Sequence, residues 1–270
     1  MLRRLYFILS PLGRRIVRRI YYLPFDCFNR VVRKSESLIP PKGMSYVGSG
    51  NFKLLGDKFF NHIFETTKVS ENSKILDIGC GIGRIARPFA YYLTKSGKYV
   101  GFDIIDYGIR WCKKNYKKYP NFYFEHYPLK NDLYNLSANK SASEFVFPYS
   151  NNEFDLVVLI SVFTHMQKQE VVNYLNQIYR VLQPGAYCYA TFFLTESNDN
   201  QSLFPYNFEN YSLHNLKVKN ANVAYDKGFI LKTSEEIGYK FYQSFDGWWK
   251  TEHKADNVDF QDILILQKPK

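Results

Sequence analysis

Lys74-Ile75-Leu76-Asp77-Ile78-Gly79-Cys80-Gly81-Ile82-Gly83-Arg84 is the stretch on which the fold turns. Ile75, Leu76 and Ile78 make a short apolar run of the kind found in a parallel strand buried on both faces. Gly79, Gly81 and Gly83 then turn the chain, and residues 84–93 resume with helical character. Glycines in such a turn permit positive φ and leave no Cβ between the backbone and a ligand. A strand, a glycine turn and a helix start together open a nucleotide-sized crevice at the strand's carboxyl end. Glycines also simply make turns, so the weight of the pattern depends on its context. Twenty residues past Gly83, Tyr99-Val100-Gly101-Phe102-Asp103 reads as a second strand ending in a carboxylate. That is where a doubly wound sheet places the acid that holds ribose hydroxyls, although a strand end or helix cap can carry one too.

Working outward, strands and helices alternate. Strand 74–78 leads to helix 84–95, strand 98–103 to helix 106–118, and strand 122–126 to a long polar excursion. Residues 155–160 form a fourth apolar strand. Helix 168–182 follows, with Val171, Leu175, Ile178 and Leu182 as its stripe and Pro184-Gly185 as its stop. A fifth strand spans 187–194. Residues 195–225 show no clear period, 226–237 form the last major helix, and strands follow at 240–245 and 262–267. Such alternation predicts an α/β fold, a parallel sheet with right-handed crossovers and helices on both faces.

Asp77-Ile78-Gly79-Cys80-Gly81-Ile82-Gly83 resembles the first motif of class I S-adenosylmethionine-dependent methyltransferases, D-x-G-x-G-x-G. The dinucleotide pattern G-x-G-x-x-G/A fails, because position 84 is arginine. The resemblance covers residues 44–268 and implies a Rossmann-like seven-stranded sheet, mostly parallel with its last strand antiparallel. It implies S-adenosylmethionine as cofactor, with Asp77, Gly79, Gly81 and Gly83 lining the methionine end. It also implies Asp103 on the ribose hydroxyls, Ile104 against the adenine and Ser161 beside the cofactor. The third family motif places an acid near the adenine, and Phe124-Glu125-His126-Tyr127-Pro128 has none at that place, which leaves the adenine contact open. The runs Gly79–Pro88, Ser161–Met166, Ala190–Leu194 and Phe260–Ile263 resemble one bacterial branch of small-molecule and glycan-type methyltransferases. This chain has Gly50-Asn51-Phe52 where that branch has Gly-Asp-Phe.

Net charge is +11 over 270 residues, and it is concentrated. Residues 1–42 hold ten basic side chains against Asp26 and Glu36, so residues 1–43 form a basic leader and 44–270 the domain. The apolar run Leu5–Leu12 is too short to span a bilayer and lacks a small-residue cleavage site. On a helix, Leu12, Ile16, Ile20 and Leu23 share one side, with Val17 at its edge, and Arg14, Arg15, Arg18 and Arg19 take the other. That pattern suits an anionic membrane surface, a set of nucleic-acid phosphates, or packing on the chain's own domain with solvated arginines. Four cysteines without C-x-x-C spacing argue against a disulfide scaffold or zinc site and for a cytoplasmic protein, peripheral on a membrane if the leader docks there.

A methyl on a sulfonium is already activated, so catalysis consists mainly of alignment and exclusion of water, with a base where the acceptor must lose a proton. His165, in Ser161-Val162-Phe163-Thr164-His165-Met166 after the fourth strand, is the candidate base; the alternative is a histidine that shapes the pocket. Asp262, Tyr225 and Asp226 read as hydrogen-bonding or capping groups. The acid- or Asn-Pro-Pro-aromatic run of amino-directed base methyltransferases is absent after the fourth strand. No cysteine follows a proline, as the nucleophile of cytosine-C5 enzymes commonly does. The expected acceptor is therefore an oxygen or nitrogen on a small molecule, glycan or lipid-linked intermediate, under a covering insertion at 195–225. RNA or protein methylation through the basic leader, and a non-catalytic cofactor-binding subunit, are the alternatives.

Overall fold

The computed structural model describes residues 11–32, 38–46, 50–135, 138–196, 203–250 and 257–270. Strand β1 (Lys74–Ile78) sits mid-sheet, paired in parallel with β2 (Lys98–Asp103) on one side and β4 (Phe154–Leu159) on the other. Beyond β2 lies β3 (Phe122–His126). Beyond β4 lie β5 (Leu182–Phe192), β11 (Asp262–Gln267) and β10 (Lys240–Phe245), completing seven strands in the order β10-β11-β5-β4-β1-β2-β3. Only β11 runs against its neighbours, antiparallel to both β5 and β10.

Alternating side chains build two cores. Leu76, Ile78, Val100, Phe102, Val157 and Leu159 pack on one face with Val171, Leu175 and Ile178 of α5 (Lys168–Val181). Ile75, Tyr99, Leu156 and Val158 pack on the other with α2 (Phe52–Thr66), α3 (Ala86–Tyr92) and α4 (Asp106–Asn115). Chain order reverses between β1 and β4. The crevice outside their carboxyl ends is the place such a sheet offers a ligand.

Several boundaries differ from those the sequence suggests. Helix α3 starts at Ala86 rather than residue 84, the turn that contains Gly83 at φ +82° running on through Ile85. Strand β5 starts at Leu182, directly after α5. Pro184-Gly185 falls inside it, with the Gly185 amide donating to Lys268 O at 2.8 Å. Asn51, in the Gly50-Asn51-Phe52 run, caps α2, its Oδ1 accepting from the Leu54 amide at 3.0 Å; Val47, Gly48 and Ser49, just ahead of it, lie outside the described residues.

The segment 195–225 is not irregular throughout. β7 (Tyr206–Phe208), β8 (Tyr211–Leu213) and β9 (Val223–Asp226) join β6 (Leu194–Thr195) in a small sheet, order β6-β9-β8-β7. Three-residue strands of Asn, Ser and Tyr show too little alternation for a period to be read, and the sheet exists because Leu213, Val223 and Tyr225 are buried together. Asp226 caps α6 (Lys227–Ile237), accepting from the Phe229 amide at 2.7 Å. Ahead of the domain, α1 (Pro11–Val32) forms the helix expected of the leader. Among the described residues no helix is long and apolar enough to cross a membrane.

Candidate active site

At the switch point a cavity of about 460 Å³ is bounded by Asp77, Gly79, Cys80, Arg84, Asp103, Ile104, Ser161, His165 and residues of the leader and polar excursion. Its floor is set by the glycine turn. The Gly79 and Cys80 amides both donate to Phe102 O, at 2.8 and 3.0 Å, which folds the turn back onto β2. Gly79 has φ +71°, and a Cβ there would collide with Val162 Cγ2.

Asp103, buried at the end of β2, receives one amide on each oxygen. Gly81 N–H reaches Oδ2 and Ile105 N–H reaches Oδ1, both at 2.8 Å. Burial nevertheless pushes its pKa up to about 6, with those two amides pulling the other way. Each oxygen retains acceptor capacity toward the cavity. Tyr46 lies beside it, its hydroxyl buried without a hydrogen-bond partner. A buried polar group left unpaired costs free energy, so this hydroxyl wants a ligand group.

Asp77 is 2% exposed and accepts from the Tyr99 hydroxyl. Burial raises its pKa from an ordinary 3.8 to about 7, against the Tyr99 hydrogen bond. The folded protein therefore holds this proton more tightly than the unfolded chain, and stability falls as pH rises from about 4 to about 7. Asp77→Asn is expected to remove Asp77's share of that dependence, leaving the smaller share of Asp103 between about pH 4 and 6, and to stabilise the ligand-free protein at pH 8 by roughly 4 kcal/mol. Urea unfolding at pH 5 and pH 8 reads it, and a wild-type protein no less stable at pH 8 than at pH 5 would contradict it.

Not every expected residue faces the cavity. Gly81 and Gly83 are not among its bounding residues. Gly81 contributes its amide to Asp103, while Gly83 packs on Cys112 and Tyr116, whose hydroxyl donates to Gly83 O. The third glycine thus allows close packing of helix against strand. Ile104 does border the cavity, beside Leu129, Lys130 and Asn131 from the polar excursion. Ser161, at φ +59°, is clamped by its amide on Thr191 Oγ1 at 2.7 Å and its hydroxyl on Gln261 Oε1 at 3.0 Å.

His165 also borders the cavity, its Nδ1 3.0 Å from Asn220 O and its ring edge-on to Tyr134. A carbonyl accepts only, so Nδ1 carries the proton and Nε2 is the basic nitrogen of the neutral ring. Burial lowers its pKa from 6.5, which keeps the ring neutral at pH 7. Asn220 and Ala221 belong to the inserted segment, and Ala221 itself bounds the cavity. The weaker candidates are structural: the Tyr225 hydroxyl donates to Met166 O, and Asp262 takes the Leu194 and Gly247 amides and Trp249 Nε1. Tyr46, Arg84 and Gln261 escaped the sequence reading as cavity residues. Only Arg84, next to the glycine turn, carried a local signal.

Residues 76–190, from the third residue of β1 into β5, match the family of methyltransferase domains. Those residues are a methyltransferase domain on the class I fold. Over 137 residues it is 28% identical to sterol 24-C-methyltransferase of Schizosaccharomyces pombe, a match covering 51% of this chain and 32% of that protein. The matched region thus spans 32 to 39% of the curated relatives' length. Among solved structures, an S-adenosylmethionine-dependent methyltransferase of Methanosarcina mazei shares the fold at 19% identity and a TM-score of 0.53, covering 77% of this chain and 97% of its own. So does 1,6-didemethyltoxoflavin-N1-methyltransferase of Burkholderia thailandensis, at 11% identity and 0.52, covering 97% and 92%. The methyltransferase domain fits the cofactor of its class, S-adenosylmethionine. A carboxylate with acceptor capacity and an orphaned tyrosine hydroxyl meet in a nucleoside-sized cavity above a turn with no Cβ at Gly79. Among the described residues no cluster of His, Cys, Asp or Glu suits a metal.

Proposed function

We propose that the protein transfers a methyl group from S-adenosylmethionine to an oxygen or nitrogen acceptor on a small molecule, glycan or lipid-linked intermediate. The observation that carries this is one continuous cavity with Asp103 and Tyr46 in its wall together with Ser161 and His165. S-adenosylmethionine supplies an activated methyl on a sulfonium, which needs alignment rather than further activation. Asp103 and Tyr46 bind the ribose. The Asp77–Gly83 turn carries the methionine end, and Ile104 and Leu129 pack the adenine side. Ser161, held rigid by Thr191 and Gln261, marks the rim past which the acceptor enters. His165, neutral with its Nδ1 proton on Asn220 O, takes the acceptor's proton at Nε2. The small sheet β6–β9, which brings Ala221 to the cavity, covers the acceptor and limits water.

The test is transfer from methyl-labelled S-adenosylmethionine into a homologous cell extract, fractionated into small molecules, glycans, lipids, RNA and protein. Label in one of the first three fractions is the expected result. Label confined to RNA or protein overturns the acceptor class, and S-adenosylhomocysteine binding without label in any fraction overturns catalysis.

A further inference from the structure

The leader helix sits on the domain the wrong way round for a soluble protein. An amphipathic surface helix ordinarily buries its apolar stripe and wets its charges. In α1, Leu12, Ile16, Ile20 and Leu23 are 63, 49, 67 and 58% exposed, and Val17, Tyr21 and Phe28 lie open beside them. The polar side is the one turned inward. The Arg15 guanidinium lies 4.1 Å above the Tyr107 ring at the start of α4, while Asp26 accepts the amides of Lys42 and Gly43 at the leader's own end, at 2.7 and 2.9 Å. These contacts hold the apolar stripe away from the core.

We infer that this outward stripe docks the protein on an anionic lipid bilayer. Charge complementarity selects that occupant. At about 100° per residue, the exposed Arg19 borders the stripe, where a long cationic side chain reaches headgroup phosphates while the apolar residues enter the acyl boundary. The helix contributes five arginines against Asp26 alone, which favours an anionic over a neutral surface. Nucleic acid would need the arginines outward and gains nothing from exposed Leu12, Ile16 and Ile20. Arg14 also bounds the active-site cavity, so docking brings the cleft mouth to the headgroup layer. This inference stands independently of methyl transfer.

Cys27 offers a built-in reporter. It lies on the stripe and is exposed, whereas Cys80, Cys112 and Cys188 are buried, so a polarity-sensitive thiol dye labels it selectively. The labelled full chain is titrated with phosphatidylcholine vesicles, alone or with about one-third phosphatidylglycerol. A blue shift and co-sedimentation with the anionic vesicles alone are expected. Ile16→Glu/Ile20→Glu, exposed positions whose change leaves the fold intact by circular dichroism, should weaken vesicle binding at least about tenfold. No shift with anionic vesicles, or equal binding by the double variant, overturns the inference. So does a lipid-free dimer that the double variant dissociates, which would make a second copy the occupant. Binding of single-stranded RNA that displaces the vesicles and survives the double variant overturns it as well.

Discussion

Asp103→Ala is expected to weaken S-adenosylhomocysteine binding by about 10²- to 10³-fold, since two hydrogen bonds to a charged acceptor are lost. The substitution also strands the Gly81 and Ile105 amides that now end on the carboxylate, loosening the turn that forms the cavity floor. Asp103→Asn, which keeps one acceptor oxygen, should lose only about tenfold. A pH series separates charge from shape. With its pKa near 6, Asp103 is ionised above pH 7 and takes a proton below pH 6, so wild-type affinity is level in the first range and falls in the second. The asparagine variant should lose the limb near pH 6 and keep only what Asp77 contributes near pH 7. Isothermal calorimetry measures both, and an alanine variant that binds within threefold of wild type would place the cofactor elsewhere.

Loss of His165 is the second large effect. If Nε2 removes the acceptor's proton, His165→Ala should lower kcat by about 10²-fold or more at saturating cofactor while leaving S-adenosylhomocysteine affinity near wild type. Because burial holds the imidazole pKa below 6.5, wild-type kcat should stay level down to about pH 6.5 and fall only below it. Saturating cofactor removes the Asp103 limb from kcat, so a limb that persists belongs to the acceptor step. Added imidazole should restore part of the activity of His165→Ala. A variant that keeps kcat within twofold, with an unchanged pH profile, would leave His165 as the tether of Asn220 and the inserted segment, and no more.

Both predictions rest on residues legible from the chain alone, for a definite reason. A strand buried on both faces is a local apolar run, a left-handed turn needs glycine locally, and the acid at the end of β2 follows at a spacing set by one crossover. Asp77, Gly79 and Asp103, read from motif and spacing, and Ile104 and Ser161, implied by the resemblance, all border the cavity. Gly83 shows the limit of that reasoning. Its place in the motif was plain, but whether it faced ligand or helix depended on Cys112 and Tyr116, some thirty residues on.

What the sequence by itself determined, then, is the doubly wound sheet, its switch point and the carboxylate beside it, because each is written in short-range pattern. Only the tertiary structure decided the rest. Tyr46 arrives from the segment before the domain's first strand and Gln261 from the edge of its last. Asn220 comes from the turn between β8 and β9 of a small sheet that has too little alternation to be read. The leader makes the same point with one helix. Its amphipathic period was visible, yet a period has two faces, and Tyr107 stacked on Arg15 decided which of them met the domain.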